Sequence, residues 1–485
     1  MAVTSLFKGH QGPGRPIRLY ETYWSKIENL FRGSERTFDA FVRDYIALRT
    51  QASRQERADQ LYFAFRREYG SIGTDPQKLE VFLQELVRFA RYHAAFSIGT
   101  DWQTELREPL ARLRRLVDVP AILVMRLLEC YEHHESISTK QVAEAIGLIE
   151  SYVFRRAIRG DQTRGYWQVF ANLAYRIVSE RPLESVKVGL ARLTKIYGFP
   201  SDQDFRKALE EQDIYQKRVC FDLLDRLENY GNKEPVDTSR YSIEHIMPQN
   251  EKLSPAWRQM LGEHWRDIQR EWLHRLGNLT LTGYNSTYSD RSFEEKKTIK
   301  GGFEDSSIRL NKYVRNQNAW TPREMQRRGK ELASQALEFW PALIVDQALV
   351  NAANIAEMRE RAQRRDVTKV PMDPVARQLF NLLRTEVLAI DPGIIEIAEQ
   401  KSVSYHGPGF LLEVLPRKNR ILLLLPLDFN EVEDTSDLAQ DTSQWKFFVN
   451  AVYEGGVFVR VDSAAVIERA LPMVRLAHES GAGIS

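Results

Sequence analysis

The sequence predicts a mainly α-helical protein in which a short β-containing module follows an irregular helical array, and which ends in a small α+β domain. Three observations predict this fold class. From Leu19 onwards, apolar residues recur at three- and four-residue steps over about two hundred residues, as in an array of amphipathic helices. Residues 241 to about 340 then mix short strand-like and helical pieces. Apolar runs of strand length appear after residue 409.

The same patterns divide the chain into five segments. Glycine and proline without periodicity mark a disordered leader, and the polar stretch GNKEPVDTSR ends the first helical region. No repeat is sharp enough to indicate a solenoid, so the array is expected to be irregular. The predicted segments are a leader at 1–18, a helical array at 19–230, an embedded module at 231–340, a helical connector at 341–371 and an α+β domain at 372–485.

Individual helices in the array carry their own signals. The apolar series from Leu79 to Ala90 follows Pro76, a residue that favours the first helical turn. Ser138 followed by Gln141 predicts a capping box at the start of another helix. Two further apolar series predict helices at 167–178 and 219–227.

The last hundred or so residues change to a strand-rich pattern. A helix is predicted near 373–389, followed by two apolar runs at 410–415 and 420–427 that are separated by a polar turn, which is the signature of a β-hairpin. Residues 456–462 predict another strand and residues 464–478 a closing helix. This order of elements predicts a small α+β domain.

Composition excludes several classes of protein. The longest apolar run, 421–427, is too short to span a bilayer, and the first residues lack the pattern of a secretory signal. The two cysteines, Cys130 and Cys220, lie in apolar helical stretches, which predicts buried free thiols and excludes a cysteine-based zinc site. We therefore expect a soluble cytoplasmic protein without a membrane partner. The net charge is only +2, so DNA binding would require positive charge to be concentrated locally.

The segment 241–297 carries the residues with the clearest chemical signal. Its first part, YSIEHIMPQN, alternates as a short strand, which places Glu244 and His245 on opposite sides unless the strand bends, and Pro248 ends it. Metal-assisted cleavage of a phosphodiester needs oxygen ligands for a hard cation and a general base near the attacking water. A carboxylate and a neutral imidazole supply these two functions.

A second strand and a helix follow. Asn278 is expected at the start of the strand LTL, which Gly283 ends, and Asn285 falls at the opening of a helix, where asparagine is also a good cap. Two short strands and a helix, each with a polar functional group, form the ββα-metal arrangement. The interval between His245 and Asn278 holds Trp257, Trp265 and Trp272, which predict an inserted pair of packed helices.

The motifs EHIMP, GNLTLTGYN and FEEKK, in this order, resemble the HNH nuclease domain of the GmrSD-type restriction endonucleases. The resemblance is strongest over 199–340 and extends over roughly 19–480. It implies that the module at 231–340 is an HNH nuclease. By the same resemblance Glu244 is a metal ligand, His245 the general base, Asn278 the residue that orients the active-site loop, and Asn285 the second metal ligand. Asparagine at the last position favours Mg²⁺ or Mn²⁺ as the divalent metal.

Basic residues near this module are candidates for contacts with DNA phosphates, which position DNA without reading its sequence. A solvated helix face is the alternative interpretation for each basic run. A separate basic cluster in the helical array, Arg155, Arg156, Arg159 and Arg164, leaves the same two interpretations open. The nucleic-acid-binding candidates beside the module are Arg291, Lys296, Lys297, Arg309, Lys312, Arg323 and Arg327.

The resemblance also implies partners. It predicts a DNA endonuclease or nickase of a restriction system that acts on phage or modified DNA. The chain has no glycine-rich phosphate loop, so the nucleotide-hydrolysing sensor of such systems is expected on a separate subunit or on a missing N-terminal domain. Homo-oligomerisation is left open. Two other interpretations remain: a catalytically silent DNA-binding or scaffold subunit, and an HNH ribonuclease. His274 falls close to the site and is interpreted as a helix-surface residue, with a direct role in the site as the alternative.

Overall fold

The computed structural model describes residues 18–72, 75–283, 288–407, 409–432, 437–442 and 456–482. The chain divides into two compact units, Met1–Val345 and Asp346–Ser485. It is mostly helical, with a small β-sheet region in its C-terminal part, which confirms the predicted mainly α class. The leader predicted at 1–18 lies, apart from its last residue, outside the described residues. The finer division into five segments stays a prediction.

The first unit begins with a series of helices. Asp75 and Ser138 cap two of them: Asp75 accepts backbone N–H groups of Gln77 and Lys78, and Ser138 forms the predicted capping box with Gln141. Such caps contribute about 1 kcal/mol each to helix stability. The helices are α1 (Ser25–Leu30), α2 (Glu35–Thr50), α3 (Leu61–Tyr69), α4 (Pro76–Ser97), α5 (Thr104–Leu116), α6 (Ala121–Glu132), α7 (Thr139–Arg159), α8 (Tyr166–Tyr175), α9 (Pro182–Ala191), α10 (Asp202–Glu211) and α11 (Cys220–Glu228).

The rest of the first unit contains two short strands and more helices. The strands pair antiparallel, with Glu244 opposite Thr280 and His245 opposite Leu279. The predicted helix pair is present between the strands. In chain order the elements are β1 (Ser242–His245), α12 (Pro255–Leu261), α13 (Trp265–Trp272), β2 (Leu279–Thr282), α14 (Phe293–Thr298), α15 (Leu310–Arg315) and α16 (Pro322–Phe339).

Buried arginines hold these elements together. The guanidinium of Arg155, on α7, donates to the carbonyl of Trp340 at 2.7 and 2.8 Å, and Arg156 donates to the carbonyl of Ile196 at 2.7 Å. Both side chains are fully buried, so the interpretation of Arg155 and Arg156 as DNA contacts is wrong. Arg328, on α16, similarly donates to backbone carbonyls beside β2, at 2.7 and 2.9 Å. These contacts satisfy carbonyls that would otherwise be buried without partners.

The second unit packs helices against an antiparallel sheet of six strands in the order β3-β4-β5-β6-β8-β7. The predicted hairpin is confirmed as β5 paired with β6, whereas β3, β4 and β7 were not predicted. The last two helices both pack against the hairpin. The elements are α17 (Gln347–Arg364), α18 (Pro374–Ile390), β3 (Ile395–Ala398), β4 (Val403–His406), β5 (Phe410–Arg417), β6 (Arg420–Leu425), β7 (Ala439–Asp441), β8 (Val457–Val461) and α19 (Ala464–Ala482).

Two predictions made from composition are tested by this fold. Cys130 and Cys220 are free and buried, as expected, and burial raises the pKa of their thiols to about 11 and about 12. Within the described part of the chain, none of the helices combines the length and the apolar character that crossing a bilayer requires.

Candidate active site

Strand β1 carries the two adjacent residues on which the site is built. Glu244 and His245 are each only 5% exposed. Their side chains have different partners, as the alternation of a strand requires. Glu244 contacts Lys296 of α14, whereas the ring of His245 lies beside His274 and Tyr215. The strand therefore separates a carboxylate–ammonium pair from an aromatic pocket that holds an imidazole.

The carboxylate of Glu244 forms a buried ion pair. Lys296 Nζ lies 2.6 Å from Glu244 Oε1 and 2.9 Å from the backbone oxygen of His245, and Lys296 is 0% exposed. Burial raises the pKa of Glu244, an effect that the ammonium of Lys296 opposes. Burial likewise lowers the pKa of Lys296, and Glu244 opposes it. The ammonium of Lys296 thus contacts both the carboxylate of Glu244 and the carbonyl oxygen of His245, the candidate general base.

The imidazole of His245 is enclosed by polar and aromatic groups. Its Nε2 lies 3.1 Å from Nδ1 of His274, and its Nδ1 lies 2.6 Å from the amide nitrogen of Gln249. The ring of Tyr215 meets it edge to face, with the centroids 4.4 Å apart. Burial, and then the neighbouring His274 and Lys296, lower the pKa of His245 to about 3. The ring is therefore neutral at pH 7, and each of its nitrogens has a polar neighbour within hydrogen-bond distance.

Asn278 holds the loop that follows His245. Its Oδ1 accepts from the backbone N–H of Met247 at 2.8 Å and from Trp320 Nε1 at 3.0 Å. Its Nδ2 donates to the carbonyls of Met247 and Leu273, at 3.1 and 3.0 Å. The side chain is 0% exposed, so all four bonds form away from solvent. Asn278 lies in the 3₁₀ turn Leu276–Asn278 just before β2, rather than in the strand, and its side-chain amide joins two loops.

The inserted helices support the same loop. Gln269, on α13, donates through Nε2 to the carbonyls of Pro248 and Asn250, both at 2.9 Å. Trp257, on α12, is fully buried and donates through Nε1 to the carbonyl of Arg291 at 2.9 Å. The loop after β1 is thus fixed at Met247 by Asn278 and at residues 248 and 250 by α13.

The predicted metal ligands are only partly described. Asn285 lies outside the described residues. Among the described residues, no group of three or more His, Cys, Asp or Glu side chains is gathered as a metal site. The oxygens of Glu244 and of the His245 backbone are of the kind that Mg²⁺ and Mn²⁺ prefer, and they already hold a cation, the ammonium of Lys296. The donors fit a hard cation in kind, and a metal at Glu244 would compete with Lys296.

The seven candidates for DNA contact differ in exposure. Lys296 is buried in the ion pair with Glu244, and Lys297 is buried with its Nζ 3.0 Å from the carbonyl of Gln317, so neither presents its charge to solvent. Arg309 is half-buried and donates to Asn232. The remaining four, which are exposed, are Arg291, Lys312, Arg323 and Arg327.

Sequence reasoning missed part of the pocket around His245. His274 lies in the turn after α13 and contacts His245, so its interpretation as a helix-surface residue is wrong. Gln249 and Tyr215 were not singled out. Gln249 follows His245 by four residues in the same loop, a local signal that was available. Tyr215 lies thirty residues before His245, and no local pattern indicates that contact.

Comparison with known proteins supports the resemblance inferred from the motifs. Residues 199–335 match the model of the family described as GmrSD restriction endonucleases, C-terminal domain. The match spans both strands, the inserted helices and α14, and it confirms a likeness to GmrSD-type restriction endonucleases. No curated protein matches the chain. The matched segment indicates a nuclease of the restriction class.

Proposed function

We propose that this chain is a metal-dependent HNH DNA endonuclease or nickase of a restriction system, with His245 as its general base. The observation that carries the proposal is the neutral imidazole of His245 at the end of β1, on a loop that Asn278 fixes, within the segment that matches the restriction endonuclease family. A general base has to be unprotonated at the working pH, and the neutral His245 meets this condition, although its burial makes it a weaker base than a free imidazole.

In the proposed reaction His245 accepts a proton from water as the water oxygen attacks phosphorus. The bond from phosphorus to the leaving oxygen breaks, and solvent water protonates that oxygen. Glu244 and Asn285 would hold Mg²⁺ or Mn²⁺, which when bound stabilises the negative charge that develops on the phosphate. Asn278 keeps the backbone of the loop after His245 in place through its bonds to Met247. The pocket walls, including the ring of Tyr215, exclude bulk water from one side of the imidazole.

From the sequence we expected Lys296 to contact a DNA phosphate. In this proposal it pairs with Glu244 instead. Its ammonium neutralises Glu244, because a lone buried carboxylate would be costly. The exposed residues Arg291, Lys312, Arg323 and Arg327 then remain as the candidates for contact with the DNA backbone.

The substrate and partners proposed are phage or modified DNA and a nucleotide-hydrolysing sensor, carried on a separate subunit or domain. The test compares supercoiled plasmid, modified phage DNA and a matched RNA, incubated with the purified chain and the sensor in Mg²⁺, Mn²⁺ or EDTA. Cleavage of DNA that requires the metal supports the proposal. Cleavage of RNA alone would instead identify a ribonuclease, and DNA binding without cleavage under every metal would identify a silent binding subunit.

A further inference from the structure

We propose that the inserted helices α12 and α13 carry a surface that binds backbone phosphates of duplex DNA, formed by Arg258 and Arg266 around the ring of Trp265. The inference rests on the proposed function and adds a contact surface for its substrate. Both arginines are exposed and converge on one indole, with their guanidinium carbons 5.0 and 4.8 Å from the ring centroid. These three residues are called the Trp265 cluster below.

The positive charges of the Trp265 cluster are not neutralised within the described part of the chain. Neither Arg258 nor Arg266 forms an ion pair there. Arg270, four residues after Arg266 on the same helix, pairs instead with Asp267 at 2.6 Å. Glu263, the acidic residue between α12 and α13, is exposed and pairs with neither guanidinium. The cluster therefore presents two uncompensated positive charges to solvent.

The spacing of these two charges fits the backbone of a nucleic acid. Because both guanidiniums lie over the same ring, they are at most about 10 Å apart, which is about one Debye length at 0.1 M salt. One strand of DNA carries a phosphate about every 3.4 Å along its axis, so neighbouring phosphates can contact both guanidiniums at once. Stacking on the indole also orders the guanidiniums before they bind, which lowers the entropy lost on binding.

Helix α13 connects the Trp265 cluster to the loop that follows the candidate general base. Trp265 is the first residue of α13, and Gln269, in the same helix, donates to two backbone carbonyls of that loop at 2.9 Å. His274, just beyond the end of the helix, lies beside His245. A helix of eight residues is about 12 Å long. The cluster is therefore held away from the His245 pocket by the length of α13, on the order of three to four phosphates of one strand.

The Trp265 cluster also adjoins the helix that carries other candidates for contact with DNA. The backbone N–H of Trp320 donates to Sδ of Met260 at 3.2 Å, which joins α12 to the segment just before α16. The first turn of α16 carries Arg323, whose side chain is 88% exposed. Exposed cations thus lie on neighbouring helices of one module. The cluster adds two charges to that set.

Substitution of the two arginines tests the role of their charge. Arg258→Gln/Arg266→Gln removes both charges, whereas Arg258→Lys/Arg266→Lys retains them. Arg417→Gln/Lys418→Gln, in the exposed turn between β5 and β6, is the matched control for a loss of two charges. Binding of a short labelled DNA duplex, and of an RNA duplex of the same sequence, is measured by fluorescence anisotropy with the full chain in EDTA over a range of salt concentrations. Urea unfolding checks that each variant is folded.

Each phosphate contact contributes about 0.9 to the slope of the logarithm of the binding constant against the logarithm of salt concentration. We therefore expect the glutamine pair to lower the magnitude of that slope for DNA by about 2, and to weaken binding on the order of tenfold at low salt. The lysine pair and the control should keep the slope of wild type.

Three results would overturn the inference whether or not wild type cleaves DNA. They are a wild-type slope in the folded glutamine pair, an equal fall in the control, and a change seen with RNA alone. Failure of wild type to bind duplex DNA would overturn both the inference and the proposed function. If the slope depends on these arginines but wild type cleaves no DNA with any metal, the proposed nuclease fails and the DNA-binding surface stands.

Discussion

The substitution Asn278→Asp tests the claim that one buried amide holds the loop after His245. The change is nearly isosteric, but it replaces the Nδ2 amide group by an oxygen. The two bonds that Nδ2 donates, to Met247 O at 3.1 Å and to Leu273 O at 3.0 Å, become contacts between oxygens. The two bonds that Oδ1 accepts, from Met247 N–H and Trp320 Nε1, remain available.

The expected loss of stability follows from those contacts. Each lost hydrogen bond contributes about 1 kcal/mol, and each carbonyl left without a donor adds to the cost. A carboxylate buried at 0% exposure against two carbonyls brings a further penalty, so we expect the free energy of unfolding to fall by about 3–5 kcal/mol at pH 7. Cleavage should fall with it, because the loop also positions His245.

The assay is equilibrium unfolding in urea followed by tryptophan fluorescence, beside a cleavage assay under conditions where the variant is folded. Asn318→Asp, at an exposed position of the same module, is the matched control and should change stability by less than about 0.5 kcal/mol. An Asn278→Asp variant with the unfolding midpoint and the cleavage rate of wild type would refute the role given to this amide.

Three further predictions concern charge. Lys296→Met should lower the free energy of unfolding by about 3–5 kcal/mol, because Glu244 loses its buried partner. Adding Glu244→Gln should restore much of that loss, as measured by urea unfolding in a double-mutant cycle. If the effects of the two substitutions on the free energy of unfolding are additive, the pairing is excluded. Burial lowers the pKa of His406 to about 4, so the unfolded chain binds the extra proton and stability should fall, by up to about 3 kcal/mol, as the pH drops from 6.5 towards 4. In His406→Phe the free energy of unfolding should change less between pH 6.5 and 4. An unchanged dependence on pH would show that other groups cause the loss of stability. Replacing the exposed Arg323 and Arg327 by Glu should weaken DNA binding and make its dependence on salt less steep, because fewer phosphates are neutralised. Fluorescence anisotropy from about 50 to 200 mM salt measures both effects. A salt dependence of the binding constant identical to that of wild type would show that this helix face does not contact DNA.

The sequence predicted the long and strongly patterned elements, for physical reasons that are local. The capping box at Ser138 depends on two residues three apart, and the hairpin at 410–427 on two apolar runs around a polar turn. Strands β3 and β4 have four residues each, as β1 and β2 do, but they escaped prediction because no recognised motif contains them. Neighbouring strands in the sheet make such short segments stable.

The candidate site was predictable where its residues are adjacent in the chain or belong to a motif. Glu244 and His245 are neighbours, and the motif placed Asn278 beside them. The contact between Glu244 and Lys296 joins residues about fifty positions apart, and a lysine within a helix of mixed charge gave no sign of being buried. The burial of Arg155 was hidden for the same reason, since its partners, the carboxylate of Asp202 and the carbonyls of Pro200 and Trp340, are distant in the sequence.

The central claim is that His245 is the base of a metal-dependent nuclease. The most direct measurement compares cleavage of a susceptible DNA by wild type, His245→Ala and the exposed-site control His264→Ala, each with Mg²⁺ and with EDTA and in the presence of the sensor partner. Because a general base contributes about 10²- to 10⁴-fold, we expect cleavage by wild type and His264→Ala only with Mg²⁺, and a loss of that size in folded His245→Ala. Equal cleavage by His245→Ala would contradict the account.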